Sequence, residues 1–386
     1  MNYDFDTMID RKASNSIKWE VKDGELPMTI ADMDFKTAPE ILEAMRRKVD
    51  SGVFGYEYPT KEYFKAVQSW YEKEHASSAP TSWMTFTTGV IPAITASVNH
   101  FSQTGDKVLM LEPIYNTFYN SIVNSGRQIL ASQMVYDPDK LRYAVDWADL
   151  EEKLADPLTT MMILCNPHNP TGHVWSKDEL EKILLLAQKH GVIVISDEIH
   201  GDLVLEGEDY TPVFALDEKL IKNAITLVSP SKTFNLAGLH AATGIVADPV
   251  LRERFVRAVN KYEVAEPNLL AIPASIAAYT EGNAWVHQLK DYVLGNRNYL
   301  ADFLKKNLPQ IKLASENSTY LVWVDVSAVT DDSADFARQL REKTGLIVNP
   351  GTVYGGNGNK FIRISLACPL SQVKDAASRL QKFFTE

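Results

Sequence analysis

A lysine flanked by hydroxyls, Ser229-Pro230-Ser231-Lys232-Thr233-Phe234-Asn235, follows the apolar run Ile225-Thr226-Leu227-Val228. An amine at a strand's end can condense with a carbonyl and later carry a proton. Taken alone, it reads better as a turn with a solvated lysine, the usual fate of that side chain. Other reactive types stand at comparable places. Asp197 lies just past Val192 to Ile195, where a carboxylate can pair with a protonated ring nitrogen. It could instead cap a helix, but no cluster with metal-ligand spacing accompanies it. Asn166-Pro167-His168-Asn169-Pro170-Thr171-Gly172 is a rigid turn after Met161 to Leu164, and it can aim the Asn169 amide at a ligand. Thr87-Thr88-Gly89-Val90-Ile91-Pro92 ends a strand and opens a helix, with Pro92 in the first turn. Free backbone amides at Gly89 and Val90 suit a phosphate. Tyr115 follows Val108 to Leu111 and could stack on a flat ring.

An imine-forming lysine, a carboxylate for a pyridine nitrogen, an amide for a phenolic oxygen, an aromatic cover and a phosphate turn fit one cofactor. They are the parts that pyridoxal 5′-phosphate (PLP) demands.

The elements needed to position them are also legible. The four apolar runs read as buried strands, and Lys177 to His190 carries Leu180, Ile183, Leu184 and Ala187 at helical spacing before Gly191. Strands alternating with helices predict a parallel α/β sheet. Ligands bind at the carboxyl ends of such strands, so three polar clusters at three strand ends predict one shared site. After about Asn283 the texture changes to α+β. A helix over 284–306, the strand Tyr320 to Val324, a helix near 333–343, the strand Phe361 to Leu366 and a final helix predict a smaller domain. The expected division is an N-terminal segment 1–45, a large domain 46–283 and a small C-terminal domain 284–386.

The chain has 386 residues and a formal net charge of −11, a balance that argues against general binding to nucleic acid or anionic membrane. No uninterrupted apolar run approaches the ~18 residues of a membrane span. The N-terminus lacks the pattern of a signal peptide, and with only Cys165 and Cys368 there is no disulfide framework. A cytoplasmic enzyme is expected.

Several further motifs complete a pattern: Ile30-Ala31-Asp32-Met33-Asp34-Phe35, Gly52-Val53-Phe54-Gly55-Tyr56, Val174-Trp175 after the Asn166 turn, and Ser196-Asp197-Glu198-Ile199-His200. Ser318-Thr319-Tyr320-Leu321 and Pro350-Gly351 to Tyr354-Gly355 continue it. In this order, from about residue 3 to the C-terminus, they resemble the fold-type I PLP-dependent enzymes, and most nearly the MalY/PatB-type cystathionine β-lyases. The resemblance implies a large domain with a mainly parallel seven-stranded sheet and a smaller α+β domain. It implies that Lys232 is the Schiff-base lysine, that Asp197 pairs with the pyridine nitrogen and that Asn169 contacts the phenolic oxygen. Tyr115 then stacks on the ring, Gly89, Val90, Ser229 and Ser231 serve the phosphate, and His200 lies beside the cofactor. Arg363, with Asn169, becomes the clamp for the substrate carboxylate. An arginine inside the apolar strand Phe361-Ile362-Arg363-Ile364-Ser365 needs such a partner in any case. Tyr56 looks like the tyrosine that a neighbouring subunit donates, which implies a homodimer with an amino-acid substrate.

Two positions depart from the aminotransferase pattern. His240 stands where many of those enzymes place a phosphate-gripping arginine, and His200 where many have tyrosine. The lyase group is similar in lacking the arginine, so the first change fits the closer match. The expected activity is cleavage of L-cystathionine or related L-cysteine S-conjugates to a thiol, pyruvate and ammonia, as in methionine biosynthesis. The alternatives are an aminotransferase and a regulatory or interaction protein built on the same fold.

Overall fold

Apolar runs with no polar face can only be central strands of a sheet covered on both sides, and that is where they lie. The computed structural model describes residues 2–207 and 209–385. Its main sheet has seven strands: β1 (Met84–Thr87), β2 (Lys107–Glu112), β3 (Gln128–Gln133), β4 (Thr159–Cys165), β5 (Ile193–Asp197), β6 (Ala224–Val228) and β7 (Ala242–Ile245). The order is β1-β7-β6-β5-β4-β2-β3. All neighbours are parallel except β7, which runs antiparallel to both β1 and β6.

The exception has a physical cause. Parallel strands need a long crossover, whereas antiparallel ones can be joined directly. The short stretch between Val228 and Ala242 returns directly and holds just the four-residue helix Pro230–Thr233 and the 3-10 turn Ala237–Leu239. Lys232 is thereby set at the carboxyl end of β6. The carboxyl ends of β1, β2, β4, β5 and β6 share that edge of the sheet.

Helices cover both faces. Val90–Phe101 follows β1 directly, and Lys177–Lys189 begins at a capping box in which Ser176 and Glu179 satisfy each other's backbone amides. The turn between β4 and that helix needs a glycine. Gly172 has φ +72, and a Cβ there would crowd the backbone of Glu316.

The later part of the chain builds a four-stranded antiparallel sheet from β8 (Lys312–Leu313), β9 (Leu321–Asp325), β10 (Asn349–Pro350) and β11 (Phe361–Ser365), in the order β8-β9-β11-β10. Asn283–Asn307, Ser333–Thr344 and Leu370–Thr385 are its helices. Between this unit and the first, Trp323 and Phe361 stack at 5.1 Å and pack with Tyr354 and Tyr143. Burying side chains of that size contributes roughly 1.5–3 kcal/mol each.

The N-terminal segment ties the two units together. Leu26–Pro27 pairs in parallel with Leu346–Ile347, and Met28 O accepts the Ser365 amide at 2.8 Å. Asp34 receives Lys18 Nζ (2.7 Å), Arg11 Nη1 (2.8 Å) and Trp19 Nε1 (2.8 Å). From the large unit, Asn235 in left-handed conformation (φ +57) bonds the Met33 amide and the carbonyls of Met33 and Phe35. The expected break after residue 45 falls inside the helix Pro39–Asp50, which packs against Ala271–Glu281. No helix among the described residues is long and apolar enough to cross a membrane.

Candidate active site

At the shared strand edge lies a cavity of about 390 Å³. It is lined by Thr88, Gly89, Val90, Ile91 and Pro92 from the end of β1; Tyr115 after β2; Cys165 and Asn169 after β4; Asp197, Ile199 and His200 after β5; and Ser231, Lys232, Ala237 and His240 after β6. Ala31 closes one wall. Residues from five strand ends, far apart in the chain, thus meet in one chamber.

At one end the chain turns through Gly89 (φ +133), a conformation open to glycine, into the helix Val90–Phe101. The first-turn amides of that helix have no intrahelical acceptor and are left for an anion. His240, itself left-handed at φ +51, lies at the same cavity. Ser231 lines it too, whereas Ser229 does not. The Ser229 hydroxyl caps the short lysine-bearing helix by accepting Ser231 N–H (3.1 Å) and lies 2.7 Å from Ala241 O. It shapes the turn from behind.

Two adjacent carboxylates are sent opposite ways at the end of β5. Glu198 turns from the cavity and is satisfied by Ser196 Oγ (2.7 Å), Val213 N–H (3.0 Å), Asn166 Nδ2 (3.3 Å) and the Tyr210 hydroxyl. Asp197 faces the cavity and accepts one backbone amide, Ile199 N–H at 3.1 Å. Burial pushes its carboxyl up to about 7, against smaller lowering effects of that amide and of Lys232. It has no salt-bridge partner among the described residues. A buried acid so placed calls for a cation.

Lys232 supplies the opposing amine. Burial, followed by repulsion from Arg363, lowers it to about 8, so a sizeable neutral fraction exists near neutral pH. Its Nζ donates to Ala31 O at 3.0 Å, a carbonyl that also takes the Tyr320 hydroxyl at 2.8 Å. Burial, with Lys232 and Arg363, holds His200 down to about 3, so it is neutral, and its Nδ1 is buried without a partner among the described residues.

Arg363 is 4% exposed at the centre of β11. Nη1 donates to Asn169 Oδ1 (3.1 Å) and Nη2 to Thr29 O (3.2 Å), while Nε has no acceptor among the described residues. Its face rests on the Tyr354 ring at 4.9 Å. With Asn169 Oδ1 engaged, the Asn169 NH₂ is the group left for a ligand. A buried guanidinium with no carboxylate partner and an unmatched N–H fits an anionic guest.

The structure therefore gathers Gly89, Val90, Tyr115, Asn169, Asp197, His200, Ser231 and Lys232 at one cavity, with Arg363 bonded to Asn169 at its edge. Tyr56 stands apart, fully exposed in the segment that also exposes Val53, Phe54 and Tyr58. Sequence reading missed the Ala31 carbonyl, the Tyr320 hydroxyl and the Tyr354 platform as working parts, although each lies in a motif it had singled out. For a pyridine aldehyde phosphate the fit is specific: an unpaired acid, a depressed amine, an unpartnered imidazole nitrogen and a helix start bound one chamber.

Comparison with known proteins agrees with this geometry. The chain is 37% identical to cystathionine β-lyase PatB of Bacillus subtilis, and 33% identical to protein MalY of Escherichia coli, each over 98% of both chains. Its fold superposes on cystalysin of Treponema denticola, a structure containing PLP, with a TM-score of 0.96 and 34% identity over 100% of this chain and 99% of the other. The model of aminotransferases of class I and II matches residues 24–380. With nearly the whole chain so matched, the protein belongs to the aminotransferase class I and II family.

Proposed function

We propose that this protein is a PLP-dependent carbon–sulfur β-lyase that cleaves L-cystathionine or related L-cysteine S-conjugates to a thiol, pyruvate and ammonia. The observation that carries the reading is the opposition of Asp197, unpaired and buried, to the depressed amine of Lys232 in one cavity that opens on a helix start. The end-to-end likeness to PatB favours elimination over amino transfer.

Lys232 would hold the cofactor through its amine, and Asp197 would keep its ring nitrogen protonated. The Asn169 NH₂ and the neutral His200 would serve its phenolic oxygen, and Tyr115 would cover the ring. Gly89, Val90 and Ser231 present the phosphate site, with Ser229 fixing the turn and His240 beside it. When bound, PLP supplies the electron sink that makes an amino acid's α-proton acidic. Arg363 grips the substrate carboxylate and orients the Cα–H bond toward Lys232. The Lys232 amine would take the α-proton as the thiolate departs from Cβ, and water would hydrolyse the remaining enamine to pyruvate and ammonia. Positioning of this kind contributes up to ~7–11 kcal/mol in favourable cases.

The exposed apolar segment Val53 to Tyr58 supports a homodimer in which Tyr56 completes the partner's cavity, since a patch of that kind is normally covered. Both cysteines are free and buried, in keeping with a cytoplasmic setting. The working units are the N-terminal segment over 1–45, the large PLP domain over 46–283 and the small domain over 284–386, with the helix at 39–50 leaning on the large domain.

Turnover of S-substituted L-cysteines, read as pyruvate and thiol, tests the reaction. Release without any added 2-oxo acid is expected, and activity that requires one would replace the lyase with an aminotransferase. Arg363→Ala is expected to raise KM for L-cystathionine roughly 10–100-fold, the loss of a charge-assisted bidentate contact. Titration of bound PLP should show cofactor affinity little changed. An unaltered KM would remove Arg363 from the carboxylate site.

A further inference from the structure

Tyr354, on whose ring Arg363 rests, is itself held from the large domain. Its carbonyl accepts the Ile114 amide (2.8 Å) and lies 3.0 Å from the Tyr119 hydroxyl. That hydroxyl is 2.7 Å from Glu112 Oε1. The other carboxylate oxygen, Glu112 Oε2, accepts Gly356 N–H and Gln133 Nε2, each at 2.9 Å. Glu112 is only 8% exposed and has no cation within ion-pair distance among the described residues. A buried carboxylate of this kind is held by hydrogen bonds alone, and here two of its contacts act on one turn.

The turn is built for the contact. Gly355 has φ +74, and a Cβ there would collide with the Tyr119 hydroxyl and the Glu112 carboxyl, so only glycine lets the chains approach so closely. The turn joins β10 to β11, where Asn349 pairs with Arg363. Asn349 Nδ2 also donates to the Tyr354 hydroxyl at 3.1 Å. Glu112 is the last residue of β2, three before Tyr115 at the cavity wall. One carboxylate therefore ties the strand end that carries a cavity residue to the turn that carries the platform of Arg363.

We propose that Glu112 is a positioning residue for substrate recognition. By latching the Tyr354–Gly356 turn to the end of β2, it holds the Arg363 guanidinium in a preformed pose for a carboxylate. This inference rests on the reading of Arg363 as the carboxylate clamp. It implies that this corner of the two domains stays docked before substrate arrives, and that the binding term is set by the latch rather than by closure.

Three variants of the full-length holoenzyme, assayed with L-cystathionine, test it. Glu112→Ala is expected to raise KM roughly tenfold with kcat within about threefold, because misplacing Arg363 weakens binding more than it alters the reacting atoms. Glu112→Gln, which keeps an oxygen to accept Gly356 N–H, is expected to recover most of that loss. Arg363→Ala gives the reference KM defect. A second readout needs no cofactor: in cofactor-free Glu112→Ala the Gly356 amide should exchange hydrogen faster, with the amides of β5 unchanged. Normal KM in Glu112→Ala alongside a raised KM in Arg363→Ala would overturn the latch and leave the clamp standing. Parallel falls in kcat and thermal stability with unchanged KM would reduce Glu112 to a structural role. No KM change in Arg363→Ala would overturn the clamp itself, and the latch with it.

Discussion

Lys232→Ala is expected to lower elimination by at least about 10³-fold, since one side chain provides both the attachment of the cofactor and the base for the α-proton. The loss is expected in kcat, with the fold intact. Among the described residues Nζ makes a single hydrogen bond, to Ala31 O at 3.0 Å, and its removal relieves a buried cation that Arg363 already repels. The variant should therefore unfold no earlier than the wild type in the absence of cofactor. Bound PLP should persist through the phosphate turn and Asp197, without the visible absorbance of a lysine-linked cofactor. Steady-state pyruvate release, absorbance and thermal denaturation check the three statements separately. Turnover within tenfold of the wild type would place the base elsewhere.

Asp197→Asn is expected to have two opposed effects. Catalysis should fall roughly 10²–10⁴-fold, the range of a group acting on protonation in the transition state, because an amide cannot keep a ring nitrogen protonated. The cofactor-free protein should become more stable, and only at the higher pH. Burial raises the carboxyl from its ordinary 3.8 to about 7, so the folded state keeps a proton that the unfolded chain has lost. Its contribution to stability is fully present below about pH 3.8 and is lost as pH rises through about 7. Asparagine has no such loss. The variant should thus gain on the wild type between about pH 4 and 7, by on the order of 1–4 kcal/mol. Denaturant unfolding at pH 4 and pH 8 measures this, and equal differences at both would contradict it. A residue whose loss stabilises the chain while abolishing activity is held there by function.

How much of this was legible depends on where each signal resides. The central strands were readable because burial on both faces demands unbroken apolar runs, and β4, β5 and β6 begin and end within two residues of the sequence reading. Asn169, Asp197 and Lys232 were readable because, although each alone has a plain structural reading, the three stand at neighbouring strand ends of one sheet. Arg363 stood out as a lone cation in an apolar strand, and its unmatched Nε is the counterpart of that signal. The edge strand β3 was missed because one edge is solvated, and Gln128-Ile129-Leu130-Ala131-Ser132-Gln133 carries no strong pattern. The antiparallel β7 was missed because Ala242-Thr243-Gly244-Ile245 is short and holds a glycine, here required because a Cβ would strike Phe255.

At the site, main-chain partners left no trace in side-chain types. Nothing in the identity of Ala31 announces that its carbonyl receives both Lys232 and Tyr320. Ser229 was named a phosphate residue through resemblance. Its place before Pro230 was a capping signal, and capping is what its hydroxyl does. Tyr56 entered only through resemblance, because a residue that serves a neighbouring subunit looks, within its own chain, like an exposed aromatic.

The claim beneath all of this is that one amine at the end of β6 and one acid at the end of β5 hold the same heterocycle. Borohydride reduction of the PLP-loaded protein, followed by peptide mass mapping, fixes the cofactor to whichever amine carries it. The account predicts a single modified peptide, bearing the label on Lys232. Label on another lysine, or none on a protein shown to bind PLP, would contradict it.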